Sequence, residues 1–530
     1  MRSAGLDVDT LPLSRPEVAV FVSGVTSMGL EILAGRMIAP QFGSSIYTWG
    51  SIIGVFLAAL SYGYWRGGRK AELATNARMS RVFLLTAVYV ALLVFAGDLL
   101  LRSMAGFPLP SRFASLPAIT LLFGPPTYLL GYVSPYAAEL STKEGLGEAS
   151  GHVYALGTVG SIVGAFGTTF FLVPELGIDG IALVFGLLSV ATALWVGYAD
   201  PAFDRRQVAA VGVVTLLLLV AVAGPAVGVT VEGRTVYETQ TPYQQLRVSD
   251  LGDTRTLYLD GQRHSAMDLE DPYRHVFDYT RYFHLPFLVA DDPDDVERVL
   301  FVGGGGFTGP KRFVHEYPNV TVDVVEIDPE VVRVAKEYFA VEESPRLNIY
   351  RADGREFLRE TDTEYDLIVL DAYRKDKVPF EMTTVEFMQL ANDRLDEDGI
   401  LFANLISAPN GAASEFYRAE YKTMHRVFPQ VYTFPTVDAN VVQNVEVVAT
   451  KDRTRLTEEE LLDRNAARDI GIDLEREIRY YREPPRTEDV PVLRDDRAPV
   501  DSLLDPMVGQ RYVVSEANET ETPAPRIRAE

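Results

Sequence analysis

Seven apolar stretches of roughly 20 residues, the length that crosses about 30 Å of hydrocarbon, precede residue 230, near 18–38, 48–66, 82–101, 116–138, 152–173, 180–198 and 207–229. The rest of the chain has the opposite character. Residues 1–229 carry 13 basic and 13 acidic side chains, so the whole net charge of −24 falls in residues 230–530. Two parts in two solvents are predicted: a polytopic helical membrane domain of about seven spans over 1–229, in contact with a lipid bilayer, and an acidic globular part after it.

The acidic part repels polyanions, which excludes nucleic acid as a partner. The absence of cysteine removes disulfides, thiolate nucleophiles and cysteine zinc sites. Arginine supplies 41 of the 49 basic residues; with the acidity, this is the composition of a protein living in multimolar salt, where charge repulsion is screened. The first apolar stretch follows a polar leader without a small-residue cleavage site, which argues against a signal peptide.

Charged residues in such spans are costly, so Glu31, Arg36 and Asp98 stand out, either paired at helix ends or lining a path. Gly157, Gly160, Gly164 and Gly167 put small residues on one side of the fifth span, for close helix packing. Pro117, Pro125, Pro126 and Pro135 predict a kinked fourth span. Five basic residues between Arg66 and Arg81, with Arg205 and Arg206 on the same side, place the N-terminus in the cytoplasm. Seven spans then leave the acidic part outside, whereas its nucleotide chemistry calls for a cytoplasmic location.

From residue 296, short apolar runs alternate with amphipathic helical ones, the pattern of parallel strands joined by helices. The runs are RVLFVGG from Arg298, VTVDVVEID from Val320, LNIYRAD from Leu347, YDLIVLDA from Tyr365 and GILFANLI from Gly399, with a later antiparallel strand at Val445–Thr450. The predicted divisions are 1–229 transmembrane, 230–287 a small β-segment with a helix around Tyr273–Phe287, 288–452 a Rossmann-like α/β domain, 453–514 a charged extension, and 515–530 a disordered tail.

The strand ends carry the chemistry, as in open α/β sheets generally. FVGGGGFTGP closes the first strand with a glycine turn, in which Gly303 and Gly305 let backbone approach a ligand. Glu326 and Asp328 close the second strand, Glu326 lying 20 residues beyond Gly306, the spacing at which an acid bonds a ribose hydroxyl pair. Asp353 and Gly354 close the third, where the carboxylate either accepts an adenine amine or caps the next helix. Asp371 and Tyr373 close the fourth and suit chemistry on a group attached to a nucleoside.

Taken together, YQQLRV, LYLDGQRHSAMDLEDP, VLFVGGGG, VVEIDPEVV, ADGREFL and YDLIVLDAY resemble the spermidine synthase (polyamine aminopropyltransferase) family of the methyltransferase-type Rossmann-like superfamily, over roughly 237–450. GLEILAGRMIAPQFG and LRDDRAPVDSLL resemble its polytopic, membrane-fused members, of halophilic archaeal type. The resemblance implies that Glu326 holds the ribose, Asp353 the adenine amine, Gln244 the donor nucleoside, and Asp371 the incoming amine and its proton. Decarboxylated S-adenosylmethionine is the implied co-substrate and a small amine the acceptor, with no metal and room for a homodimer.

Three departures stand beside the matches. Gly306 occupies the place of the family's aspartate in GGGDG, DAYRKD replaces DSSDP with the second acid at Asp376, and Phe434, Pro435 and Thr436 lack the tyrosine of PTY. S-adenosylmethionine with methyl transfer to another acceptor therefore stands as the alternative, and a transporter or sensor with a regulatory nucleoside domain as the third reading.

Overall fold

The computed structural model describes residues 13–43, 45–105, 109, 111–140, 146–198, 200, 203, 205–223, 233–375 and 378–517. They form two compact units, Met1–Val229 and Thr230–Glu530.

In the first unit, six helical segments are long and apolar enough to cross a membrane: Arg15–Phe42, Ile46–Gly68, Asn76–Gly97, Arg112–Glu139, Gly147–Glu175 and Ile178–Gly197. The expected seventh stretch begins as a helix over Arg205–Ala223, whose apolar part, Gln207–Ala221, is shorter than a full span. The remainder of that expectation, 224–229, lies outside the described residues, so six long apolar helices are found among the described residues where seven spans are expected. The side chain of Asp98 is likewise outside the described residues, and Glu31 is half-buried.

Three of the four stripe glycines, Gly157, Gly160 and Gly164, meet the first helix, whereas a Cβ on Gly167 would meet nothing within 4 Å. A Cβ on Gly160 would sit 2.1 Å from the carbonyl oxygen of Phe21, one on Gly164 2.4 Å from that of Val25, and one on Gly24 2.3 Å from that of Gly157. The first and fifth long helices thus touch backbone to backbone, which only residues without side chains permit. Glu17 adds a polar tie: it accepts the Ser14 amide at 2.7 Å and faces His152 Nε2 at 3.1 Å. Pro125 and Pro126 sit inside a continuous helix, Leu116–Leu130, and the break comes instead at Gly131–Tyr132, before Val133–Glu139. A π-helical segment, Thr168–Leu172, falls ahead of Pro174, whose ring lacks an N–H and crowds the carbonyl four residues back.

The second unit opens with four antiparallel strands in sequential order: β1 (Arg234–Gln240), β2 (Gln245–Leu251), β3 (Thr254–Leu259) and β4 (Gln262–Asp268). The helix expected around Tyr273–Phe287 is a 3-10 helix, Asp278–His284, followed by Pro286–Val289. Every residue from Asp278 to Val289 is buried, so no exposed face imposes the period of a surface helix.

Seven strands then form the main sheet: β5 (Arg298–Val302), β6 (Thr321–Glu326), β7 (Leu347–Arg351), β8 (Tyr365–Leu370), β9 (Leu395–Ser407), β10 (Gln430–Pro435) and β11 (Gln443–Thr450). Their order is β10-β11-β9-β8-β5-β6-β7. Strands β5 to β9 run parallel, and β11 is antiparallel to both β9 and β10. The central parallel strands are mainly apolar because helices cover both faces; Val299, Leu300, Phe301 and Val302 are all buried, whereas the edge strand β7 exposes Tyr350 and Arg351. Strand order reverses between β5 and β8, which opens the ligand crevice of a doubly wound sheet beyond their carboxyl ends.

The charged extension holds a capped helix, Glu458–Ala467, and the left-handed Gly471 interrupts the helical pattern. The tail departs from its expected disorder at its start: Ala517 donates its amide to Val276 and Asp278 donates to Ser515. Residues 518–530 lie outside the described residues.

Candidate active site

The glycine turn after β5 is shaped by close approach. Gly303 has φ of +97°, and a Cβ there would lie 2.4 Å from the carbonyl oxygen of Asp371. Gly305 has φ of +49° and abuts His264; both conformations favour glycine. The Gly306 amide donates to Ser265 Oγ at 2.9 Å. A Cβ at 306 would meet the Ser265 Cβ at 2.8 Å, so the acid common in related turns has no room here without movement of β4.

Glu326 ends β6 beneath this turn, accepting the Gly304 amide at 2.8 Å and the Asp328 amide at 2.9 Å. Burial pushes its pKa up, while the two amides pull it down. Asp328 is wholly buried. It caps the helix Pro329–Tyr338 through the Glu330 amide and accepts from Thr241 at 2.6 Å and Gln244 at 3.4 Å. These bonds tie the β1–β2 connection to the end of β6.

Asp353 caps the helix Gly354–Glu360, its Oδ1 accepting the Glu356 amide at 2.9 Å. Gly354 packs on β5, where a Cβ would fall 2.4 Å from Val302 Cγ1. Both readings of Asp353 thus have a place, with the cap formed and the residue still partly exposed at the strand end.

Asp371 follows β8 across the reversal point. Burial, reinforced by the negative charge of Glu326, raises its pKa to about 7, against the pull of a hydrogen bond from Asn404. That bond is 2.9 Å long; Asn404 Oδ1 accepts from Asn444 at 2.8 Å, and Asn444 Oδ1 from the Tyr512 hydroxyl at 2.7 Å. Glu446 pairs with Asn404 across β9 and β11. Its carboxyl is fully buried without a hydrogen-bond partner among the described residues, and its pKa is driven up by burial and then by the charge of Asp371.

Tyr373 is the other candidate at this strand end. It is 3% exposed, and its hydroxyl donates to the Met382 carbonyl at 2.8 Å, so the ring walls the pocket while the phenol is committed elsewhere. Asp376 is outside the described residues. Arg374 reaches back instead, donating to Gln244 Oε1 at 3.0 Å and Asp260 Oδ2 at 2.7 Å. Asp371, Arg374, His264, Asn404, Asn444 and Tyr512 line one pocket. His264 there is held neutral, its pKa lowered to about 4 by burial and then by Arg374.

Sequence reasoning did not reach Asn404, Asn444, Glu446 or Tyr512. Polar residues inside the apolar runs GILFANLI and QNVEVVAT were the available signal; Tyr512 offered none, because only tertiary folding returns residue 512 to Val442.

A seven-stranded α/β sheet with a glycine turn and acids at successive strand ends is the architecture of Rossmann-like domains. Residues 279–451 match the spermine/spermidine synthase domain. The chain is 30% identical over 207 residues to the polyamine aminopropyltransferase of Vibrio vulnificus, covering 38% of this chain and 67% of that protein. It is 31% identical over 223 residues to that of Thermococcus kodakarensis, covering 40% and 73%. Polyamine aminopropyltransferase 2 of Aquifex aeolicus is 22% identical over 451 residues, covering 79% of this chain and 85% of that protein. The chain belongs to the spermine/spermidine synthase family and is a spermidine synthase-like transferase.

Proposed function

We propose that this protein is a membrane-anchored aminopropyltransferase that moves an aminopropyl group from decarboxylated S-adenosylmethionine to a small amine. The observation carrying this reading is Asp371: a carboxylate at the reversal point of the sheet, beside the glycine turn, with a pKa near 7, matched to accepting a proton at neutral pH. Glu326 and Asp353 hold the ribose and the adenine amine, and Gln244 borders the nucleoside.

The donor supplies a carbon bonded to a cationic sulfur, so the leaving group departs as a neutral thioether. Asp371 aligns the unprotonated acceptor amine, stabilises the positive charge that grows on its nitrogen as the N–C bond forms and the C–S bond breaks, and takes the released proton. Alignment in a water-poor pocket provides most of the acceleration in a reaction of this kind.

Taking the six long apolar helices among the described residues as the crossings reconciles the two expectations that seven set at odds. Basic loops put the N-terminus in the cytoplasm, and an even number of crossings returns residues 230–530 to the same side, where nucleotide-derived donors are made. The lipid bilayer is then the partner of the first unit.

Gly306 favours a second reading, methyl transfer from S-adenosylmethionine, because the turn has no acid to greet the donor's ammonium. Product mass after incubation of the purified full chain with each donor and a mixture of amines decides between them. An aminopropylated amine supports the proposal; a methylated product with S-adenosylmethionine alone replaces it.

A further inference from the structure

Behind the wall of the Asp371 pocket lies a second acid. Glu446 stands opposite Asn404 in the register of β9 and β11, so the two side chains leave the sheet on the same face. Asn404 is the residue that donates to Asp371. Tyr279 and Tyr282 of the helix Asp278–His284, and Tyr512 of the C-terminal segment, are the phenols that feel the charge of the same carboxyl. Their hydroxyls are committed elsewhere, to the carbonyls of His264 and Pro435 and to Asn444 Oδ1. Glu446 is left 0% exposed, and neither of its oxygens has a hydrogen-bond partner among the described residues.

A carboxyl buried without partners weakens a fold and calls for a reason. Packing does not supply one, because Val445, Val447 and Val448 beside it are ordinary buried side chains. What Glu446 acts on is Asp371. Burial, and then the charge of Asp371, raises its pKa well above the ordinary value, whereas Asp371, with the Asn404 amide on it, ionises near 7. Two acids coupled in this way lose their protons one after the other. We infer that Glu446 is a positioning residue that shares one negative charge with Asp371, so that the pair meets the acceptor amine as a monoanion and a second ionisation stops the transfer. With one charge, Asp371 draws in the nitrogen and takes its proton. With two, the acceptor is held as its ammonium ion, which has no lone pair to attack carbon. Glu446 thereby sets the alkaline end of the working range, as Asp371 sets the acid end. The inference rests on the reading of Asp371 as the proton acceptor, and adds the group that limits it.

Two measurements on the full chain in detergent test this. The first is product formation against pH at saturating donor, each profile scaled to its own maximum so that a general loss of activity cancels. The wild type should fall at least about tenfold on the alkaline side, Glu446→Gln less than about twofold over the same range, and Glu446→Asp should keep the fall at a displaced pH. A merely structural role would scale the rate and leave the shape of the profile alone. The second reads the carboxyl without turnover. Infrared spectra of protein carrying isotope-labelled glutamate follow the band of protonated Glu446, identified by its loss in Glu446→Gln or, should that variant not fold, in Glu446→Leu. Its midpoint should drop by at least about one pH unit when Asp371→Asn removes the neighbouring charge. An alkaline fall that persists in Glu446→Gln, or a midpoint that Asp371→Asn leaves in place, overturns the inference. The midpoint shift without any aminopropyl transfer upholds the acid pair and counts instead against the proposed reaction.

Discussion

Asn404 donates its side-chain amide to Oδ1 of Asp371 at 2.9 Å, and this single bond opposes the burial that raises the acid's pKa to about 7. The amide therefore sets how much of Asp371 is ionised at neutral pH, and with it the fraction of molecules ready to take a proton.

Asn404→Ala should move the acid limb of the pH–rate profile upward by on the order of one pH unit, the effect of losing a hydrogen bond to a charged group worth about 1.5 kcal/mol. The profile is measured on product formation under saturating donor. A slower enzyme with an unmoved acid limb would assign the proton to another group.

Asp371→Asn should stabilise the protein at alkaline pH while removing activity. The carboxyl has a folded pKa of about 7 against an ordinary value of 3.8, so the folded state holds the proton more tightly than the unfolded chain does. Its stabilising contribution is fully present below pH 4, declines as pH rises, and is lost above 7. Relative to the neutral amide, the wild type is penalised by roughly 2–4 kcal/mol at pH 8 and not at pH 4. Denaturant titrations at the two pH values check the sign; equal gains at both would mean that packing, not ionisation, is responsible.

Asp353 separates a cap from a ligand contact. Asn caps a helix about as well as Asp, whereas Ala loses about 1 kcal/mol. Asp353→Asn should therefore leave thermal stability unchanged yet weaken adenosyl binding at least tenfold, because the substituted amide presents donors where an adenine amine needs acceptors. Unchanged binding in Asp353→Asn would reduce the residue to a helix cap.

In the first unit, Gly160→Val should lower the thermal midpoint markedly, since even one methyl at this position overlaps the Phe21 carbonyl. Gly151→Ala, on the same helix with nothing within 4 Å of its Cβ, is the matched control and should change little. All three tryptophans, Trp49, Trp65 and Trp195, precede residue 230, so tryptophan fluorescence in detergent follows this unit alone. Equal behaviour of the two variants would remove the helix contact.

The central parallel strands were legible because their middles are buried on both faces and read as apolar runs, Val299–Val302 in β5 being the case in point, while the edge strand β7, LNIYR, is only partly buried. β4 and β10 escaped notice because QRHSAMD and QVYTFP are short and mixed in polarity, taking their strand form from the partners beside them. Acids at the strand ends could be found by position, since chain order fixes which end of a parallel strand faces the crevice. The chain of Asn404, Asn444 and Tyr512 could not, because three residues separated by up to 108 positions meet only through the pairing of β9 with β11 and the return of the C-terminal segment. The hydrogen bond from the Tyr373 phenol to the Met382 carbonyl was hidden for a related reason: sequence places a side chain on a loop but does not say which carbonyl will meet its hydroxyl.

The contact between Gly303 and the Asp371 carbonyl leaves the nucleoside turn and the loop of the proposed base no freedom to move apart or to grow. For a lineage changing its substrate, this is a frozen joint. Variation that alters which amine is used has to be written elsewhere, on the side chains of β4, β9 and β11 and on the segment that ends at Tyr512, where a new residue can be admitted without breaking a backbone contact. Related proteins with new acceptors should then differ from this one around the rim of the pocket while repeating the glycine and its neighbouring carbonyl unchanged.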